Sequence, residues 1–114
     1  MFTYNQIAHL ISKTARSILQ DEEQFAQISE AVTELIANIT DYTAEELAKE
    51  KWVKTPFVFL TEYFVYNRLD APTQEFISKA ENYYRNALKI LKQNKKSITA
   101  SKLGTMEGLY DAEF

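Results

Sequence analysis

The first 103 residues contain no glycine, and among them only Pro56 and Pro72 break a helical pattern outright. Glycine is among the strongest punctuators of local structure, and none interrupts this stretch. Helices need no glycine to begin, and the side chains that begin them are present. Thr3 with Gln6 and Thr43 with Glu46 have capping-box spacing, Asp21 with Gln24 is a related start signal, and Thr73 follows the Asp70, Ala71, Pro72 break.

The apolar spacing agrees with these starts. Ile7, Leu10, Ile11, Ala15, Ile18 and Leu19 recur at helical intervals and predict a first helix near residues 4–19. Phe25, Ile28, Val32, Leu35, Ile36 and Ile39 form the cleanest stripe and predict a second helix that stops near Thr40. A short acidic helix opens at Thr43, carries Leu47 and leads to Trp52. Next, Thr55 reads as an N-cap with Pro56 at the first helical position, where its missing N–H costs nothing. Apolar residues then surround the segment from Phe57 to Leu69 on nearly every side, and a helix of that kind is normally buried, with Phe64 among its core rings. Its aromatic and β-branched content also suits a strand; the Thr-Pro start and the length favour helix. The last helix places Phe76, Ile77, Ala80, Tyr84, Ala87, Leu88 and Leu91 inward. The fold class is therefore all-α: a small bundle of about four to five helices over residues 1–96, followed by an extended C-terminal arm over 97–114.

At 114 residues the chain is long enough to close one hydrophobic core. It lacks cysteine, so it has no disulfide framework, thiol nucleophile or cysteine-based metal site. No apolar run approaches the roughly 20 residues of a membrane span, and the N-terminus lacks a signal-peptide layout, so the protein is expected to be soluble and intracellular at synthesis. His9 is the single histidine, and no HExxH, EF-hand loop, Walker loop or GxSxG occurs. No catalytic residue, metal or cofactor is expected.

Charge is distributed unevenly. Asp21 to Glu50 holds nine acidic residues and one base, Lys49; Lys79 to Lys96 holds six bases and one acid, Glu81. Arg85, Lys89, Lys92 and Lys96 run along one face of the last helix and suit the negative end of its dipole. That stripe serves as a solvated face, a phosphate contact, or a surface that meets acidic protein. Glu30 and Glu34, one turn apart, belong to such an acidic face, and a base-faced helix meeting the acid-faced helix of the next copy makes a heterologous contact. The aromatic helix is either entirely core or brings a tyrosine with a polar tip, Tyr63 or Tyr66, to a subunit interface. In the arm, Leu103, Met106, Tyr110 and Phe114 would share one helical face, with Leu109 a fifth large apolar residue, while Gly104 and Gly108 each cost about 1 kcal/mol in a helix. Such an arm either orders on a partner or is a terminus with incidental apolar residues.

The acid-rich helix closing as ITDYT, the segment VKTPFVFLTEYFVYNRL and the closing helix FISKAENYYRNALKILKQNKKSI together resemble the head-to-tail connector, or adaptor, proteins of tailed bacteriophages. The similarity spans about residues 2–98. It implies an all-α, non-enzymatic subunit that assembles into a ring of about twelve copies beneath the portal protein. Such a ring extends the DNA channel without binding DNA specifically and presents a platform to a stopper or tail-completion protein. The resemblance implies a location at the head-tail junction of the virion, and in the host cytoplasm during assembly. It makes Leu103, Met106, Leu109, Tyr110 and Phe114 a portal-binding arm, and it gives the charged and tyrosine residues above the role of subunit interface. The alternative is a small helical protein-binding or regulatory module.

Overall fold

The structure, a computed structural model, describes residues 1–19 and 21–96. Its α-helices are α1 (Tyr4–Ile7), α2 (Lys13–Ile18), α3 (Glu22–Thr40), α4 (Ala44–Leu47), α5 (Lys54–Asn67) and α6 (Gln74–Gln93), with short 3-10 turns at Ala8–Leu10 and Lys51–Val53. No strand occurs among the described residues, and the fold is all-α, the aromatic segment included. The five arm residues from Leu103 to Phe114 lie outside the described residues.

Local chemistry starts most of the helices. Thr3 and Gln6 form a complete capping box on α1, as do Thr43 and Glu46 on α4. The Asp21 carboxylate accepts from the Gln24 N–H at 2.8 Å, and the Thr73 hydroxyl accepts from the Phe76 N–H at 3.2 Å. Each satisfies one of the orphan donors that open a helix. Thr55, by contrast, is not a cap. The 3-10 turn at Lys51–Val53 runs straight into α5, which therefore begins at Lys54, and Pro56 sits buried inside its first turn, where an absent N–H is still harmless.

The helix expected near residues 4–19 is two helices, because Ile11 and Ser12 are extended at ψ 139° and ψ 152°. The Ser12 N–H points away from the helix axis to the carboxylate of Glu62, fifty residues on, and its hydroxyl accepts from the Ala15 N–H to start α2.

At the other end of α3 the chain turns without glycine. Asp41 takes the left-handed conformation, φ 66°, and its N–H closes the helix on the Ala37 carbonyl. Aspartate tolerates this region better than most residues with a Cβ, and β-branched residues tolerate it least. Asp41→Val is therefore expected to destabilise by about 1 to 2 kcal/mol and Asp41→Gly not to, as read by thermal melts of the two variants.

One core gathers the described helices. Phe25, Ile28, Val32 and Ile36 of α3 pack against Phe57, Val58, Leu60 and Val65 of α5, with Ile7, Ile11 and Ala15 from the N-terminal segment and Ala87 and Leu91 from α6. The short link from Arg68 to Thr73 brings α6 back along α5, which packs against α2, α3 and α6 and is the central element. Phe57 is fully buried, whereas Phe64 is only half-buried at the margin of this core.

Candidate functional site

Three of the four expected basic residues form one exposed row on α6. Arg85, Lys89 and Lys92 are exposed; the Arg85 guanidinium bonds to neutral Asn82, and none of the three has an ion pair among the described residues. Half-buried Tyr84 and Leu88 flank the row. A shallow pocket beside it is lined by Tyr63, Glu81, Tyr84, Arg85 and Leu88.

Lys96, the fourth expected base, is engaged within its own chain. Its ammonium lies 2.6 Å from Glu46 and over the Tyr42 ring at 5.5 Å, and its backbone N–H donates to the Thr40 carbonyl at 2.8 Å. Lys95 pairs with Asp41 at 3.8 Å. The acidic turn after α3 and the end of α6 meet within one chain, so part of the complementary charge is used there. First the hydrogen bond from Lys96, then that from the Thr43 backbone, hold the Glu46 carboxyl below its ordinary value. A carboxyl lowered on folding contributes stability above its unfolded pKa and loses it as pH falls through the folded value. Carboxyl NMR titration is expected to place Glu46 below an ordinary glutamate and to return it upward in Lys96→Ala. Because both groups are exposed, the melting temperature should barely respond.

Glu30 and Glu34 are exposed on α3 and without an ion pair among the described residues. They form one rim of an open groove of about 700 Å³ between α3 and the N-terminal segment, whose other side carries Phe2 and Tyr4.

The two tyrosines separate. Tyr63 is half-buried, with its ring 4.7 Å from Tyr84 and 5.3 Å from Phe64, and so remains at the surface of the α5–α6 face. Tyr66 is 2% exposed: its ring stacks on Phe76 at 5.2 Å, and its hydroxyl lies 3.2 Å from the Ser12 hydroxyl. That hydrogen bond and stacking place it inside the chain's own packing, which corrects its assignment to a subunit interface.

Sequence reasoning missed Glu62, a carboxylate 2% exposed in the middle of the aromatic helix. It accepts from the Ser12 N–H at 2.7 Å and from the Ser12 hydroxyl at 2.8 Å, and it stands at the N-terminal end of α2, where negative charge is favoured. Burial of the ring, then the charge of Glu62, hold the Tyr83 phenol above its ordinary value. The one signal available was an acid flanked by Thr61 and Tyr63 in a helix otherwise apolar on nearly every side. These groups are consumed by one another: the serine hydroxyl donates to the carboxylate and caps a helix, so the cluster braces the N-terminal segment.

His9 is exposed, and no group of three acidic or histidine side chains that could hold a metal occurs among the described residues. Nor, among them, is any helix long and apolar enough to cross a membrane. The chain matches no protein-family model, no curated protein and no solved structure.

Proposed function

We propose that this chain is a structural, non-enzymatic subunit of a tailed-bacteriophage head-to-tail connector, assembling with copies of itself into a ring beneath the portal protein. The observation that carries the reading is a pair of oppositely charged, exposed surfaces on one small helical subunit, neither with an ion pair among the described residues: the basic row Arg85, Lys89, Lys92 on α6 and the acidic rim Glu30, Glu34 on α3. Two complementary patches at different places on one subunit make a head-to-tail contact, and such contacts close into rings when the rotation permits. The polar cluster of Glu62, Ser12 and Tyr66 supports the same reading, since its groups are spent on holding the fold. The order of helices, with an aromatic helix at the centre and a lysine-ended helix last, is what the resemblance to connector proteins calls for.

In this role the ring carries DNA through its channel without specific contacts, as suits a chain of net charge −3, and offers its far side to a stopper or tail-completion protein. The arm over 97–114 is the portal contact. Mixing the full chain with the portal protein encoded in the same genome, and weighing the products by native mass spectrometry, tests this directly. A portal bearing a ring of this chain is expected. Removal of residues 103–114 is expected to abolish docking and leave the melting temperature of the bundle unchanged. A chain that never associates with the portal belongs instead to the small binding or regulatory proteins.

A further inference from the structure

We propose that the groove between the N-terminal segment and α3 is the docking site for the basic row of α6 on a second copy of this chain. The inference rests on the connector reading and names the contact that would join its subunits. The groove is part apolar and part acidic. Phe2 and Tyr4 form one wall; Phe25, in edge contact with Tyr4 at 5.5 Å, lies beneath; and Ser29, Glu30 and Glu34 form the opposite rim. Neither glutamate has an ion pair among the described residues, and both are exposed.

The row on α6 has the matching chemistry. Arg85, Lys89 and Lys92 are spaced by four and three, on one face of the helix, and half-buried Tyr84 and Leu88 border them with apolar surface. Lysine and arginine stems add apolar length beneath their charges, so a row of this kind fills a groove with ring walls and a carboxylate rim.

The row and the rim lie on different helices, α6 and α3. The Lys96 N–H bonds to the Thr40 carbonyl and Lys95 pairs with Asp41, which fixes the base-rich end of α6 beside the C-terminal end of α3. The row and the rim share no ion pair among the described residues, so a second copy is the occupant that satisfies both at once.

Charge reversal tests the contact, and every residue changed is exposed, so the fold is spared. Self-association of the full chain is measured by sedimentation velocity up to millimolar concentration at low salt, then with added salt. Glu30→Lys with Glu34→Lys, and separately Lys89→Glu with Lys92→Glu, are each expected to weaken association about ten- to hundredfold. The chain carrying all four changes, and an equimolar mixture of the two paired variants, are expected to recover it, and salt to weaken it in the wild type. A wild type that stays monomeric throughout, paired variants that associate undiminished, or a fourfold variant as weak as the paired ones would each overturn the docking. Portal binding measured in parallel separates the two readings. A wild type that docks to the portal while ignoring the reversals overturns the groove contact alone, and one that self-associates through the groove but never docks overturns the connector reading alone.

Discussion

Phe57→Ala is expected to remove about 3 to 5 kcal/mol of stability, the cost of truncating a buried ring to a cavity. Phe57 is fully buried, lies on the element against which α2, α3 and α6 all pack, and holds the Phe2 ring edge-on at 4.9 Å. Truncation therefore opens a void at the centre and also releases the start of the chain. A domain of this size has about 5 to 15 kcal/mol in total, so the melting temperature should fall by about 15 °C or more. Phe64→Ala is the internal comparison: half-buried at the core's margin, its site can fill with solvent, and the loss should be distinctly smaller. Equal shifts for the two, or a change of a degree or two for Phe57→Ala, would show that α5 is not the centre of the core.

The second large effect is expected at Glu62. Replacing it by alanine strips the acceptor from the Ser12 N–H and from the Ser12 hydroxyl in a part of the structure that water does not easily reach, and the expected loss is about 2 to 4 kcal/mol. Glu62→Gln keeps one acceptor oxygen and should lose about half as much. Two readouts separate this brace from ordinary packing. Amide exchange in Ile11–Ala15 should accelerate more than in α3, and NMR titration of Tyr83 should show its phenol moving down toward an ordinary tyrosine without reaching it, since burial of the ring remains. A phenol raised on folding contributes stability below its unfolded pKa and loses it as pH rises through the folded value, so wild type should weaken at the alkaline end earlier than it loses helices by other means. Unchanged exchange at Ser12 in Glu62→Ala would rule the brace out.

What could be read along the chain follows a physical division. Caps at Thr3, Asp21, Thr43 and Thr73 were legible because each is a bond between a side chain and an N–H three residues away. The stripe of α3 was legible because its buried apolar residues, Phe25, Ile28, Val32 and Ile36, recur at helical spacing on one element. The break at Ser12 was not, because the group that draws its N–H off the helix arrives from α5. Thr55 misled for a related reason: its cap signal is overridden by a 3-10 turn that continues into the helix. Charge segregation was visible in the order of residues, but which charges are spent at home was not. The pairing of Lys96 with Glu46 depends on α6 ending beside the turn after α3. Tyr66 and Tyr63 carry the same side chain three positions apart, and only the packing of α2 and α6 around α5 decides that one is interior and the other reaches the surface.

The bond between Ser12 and Glu62 also orders events in time. During synthesis the N-terminal segment leaves the ribosome first, yet the carboxylate that bends it and the Phe57 ring that holds Phe2 exist only once α5 has emerged. The bend at Ser12 therefore cannot form until α5 is present to supply its carboxylate, whatever the propensity of the segment itself. The same bond holds one wall of the acidic groove, so the groove keeps its shape only while the N-terminal segment and α5 stay joined.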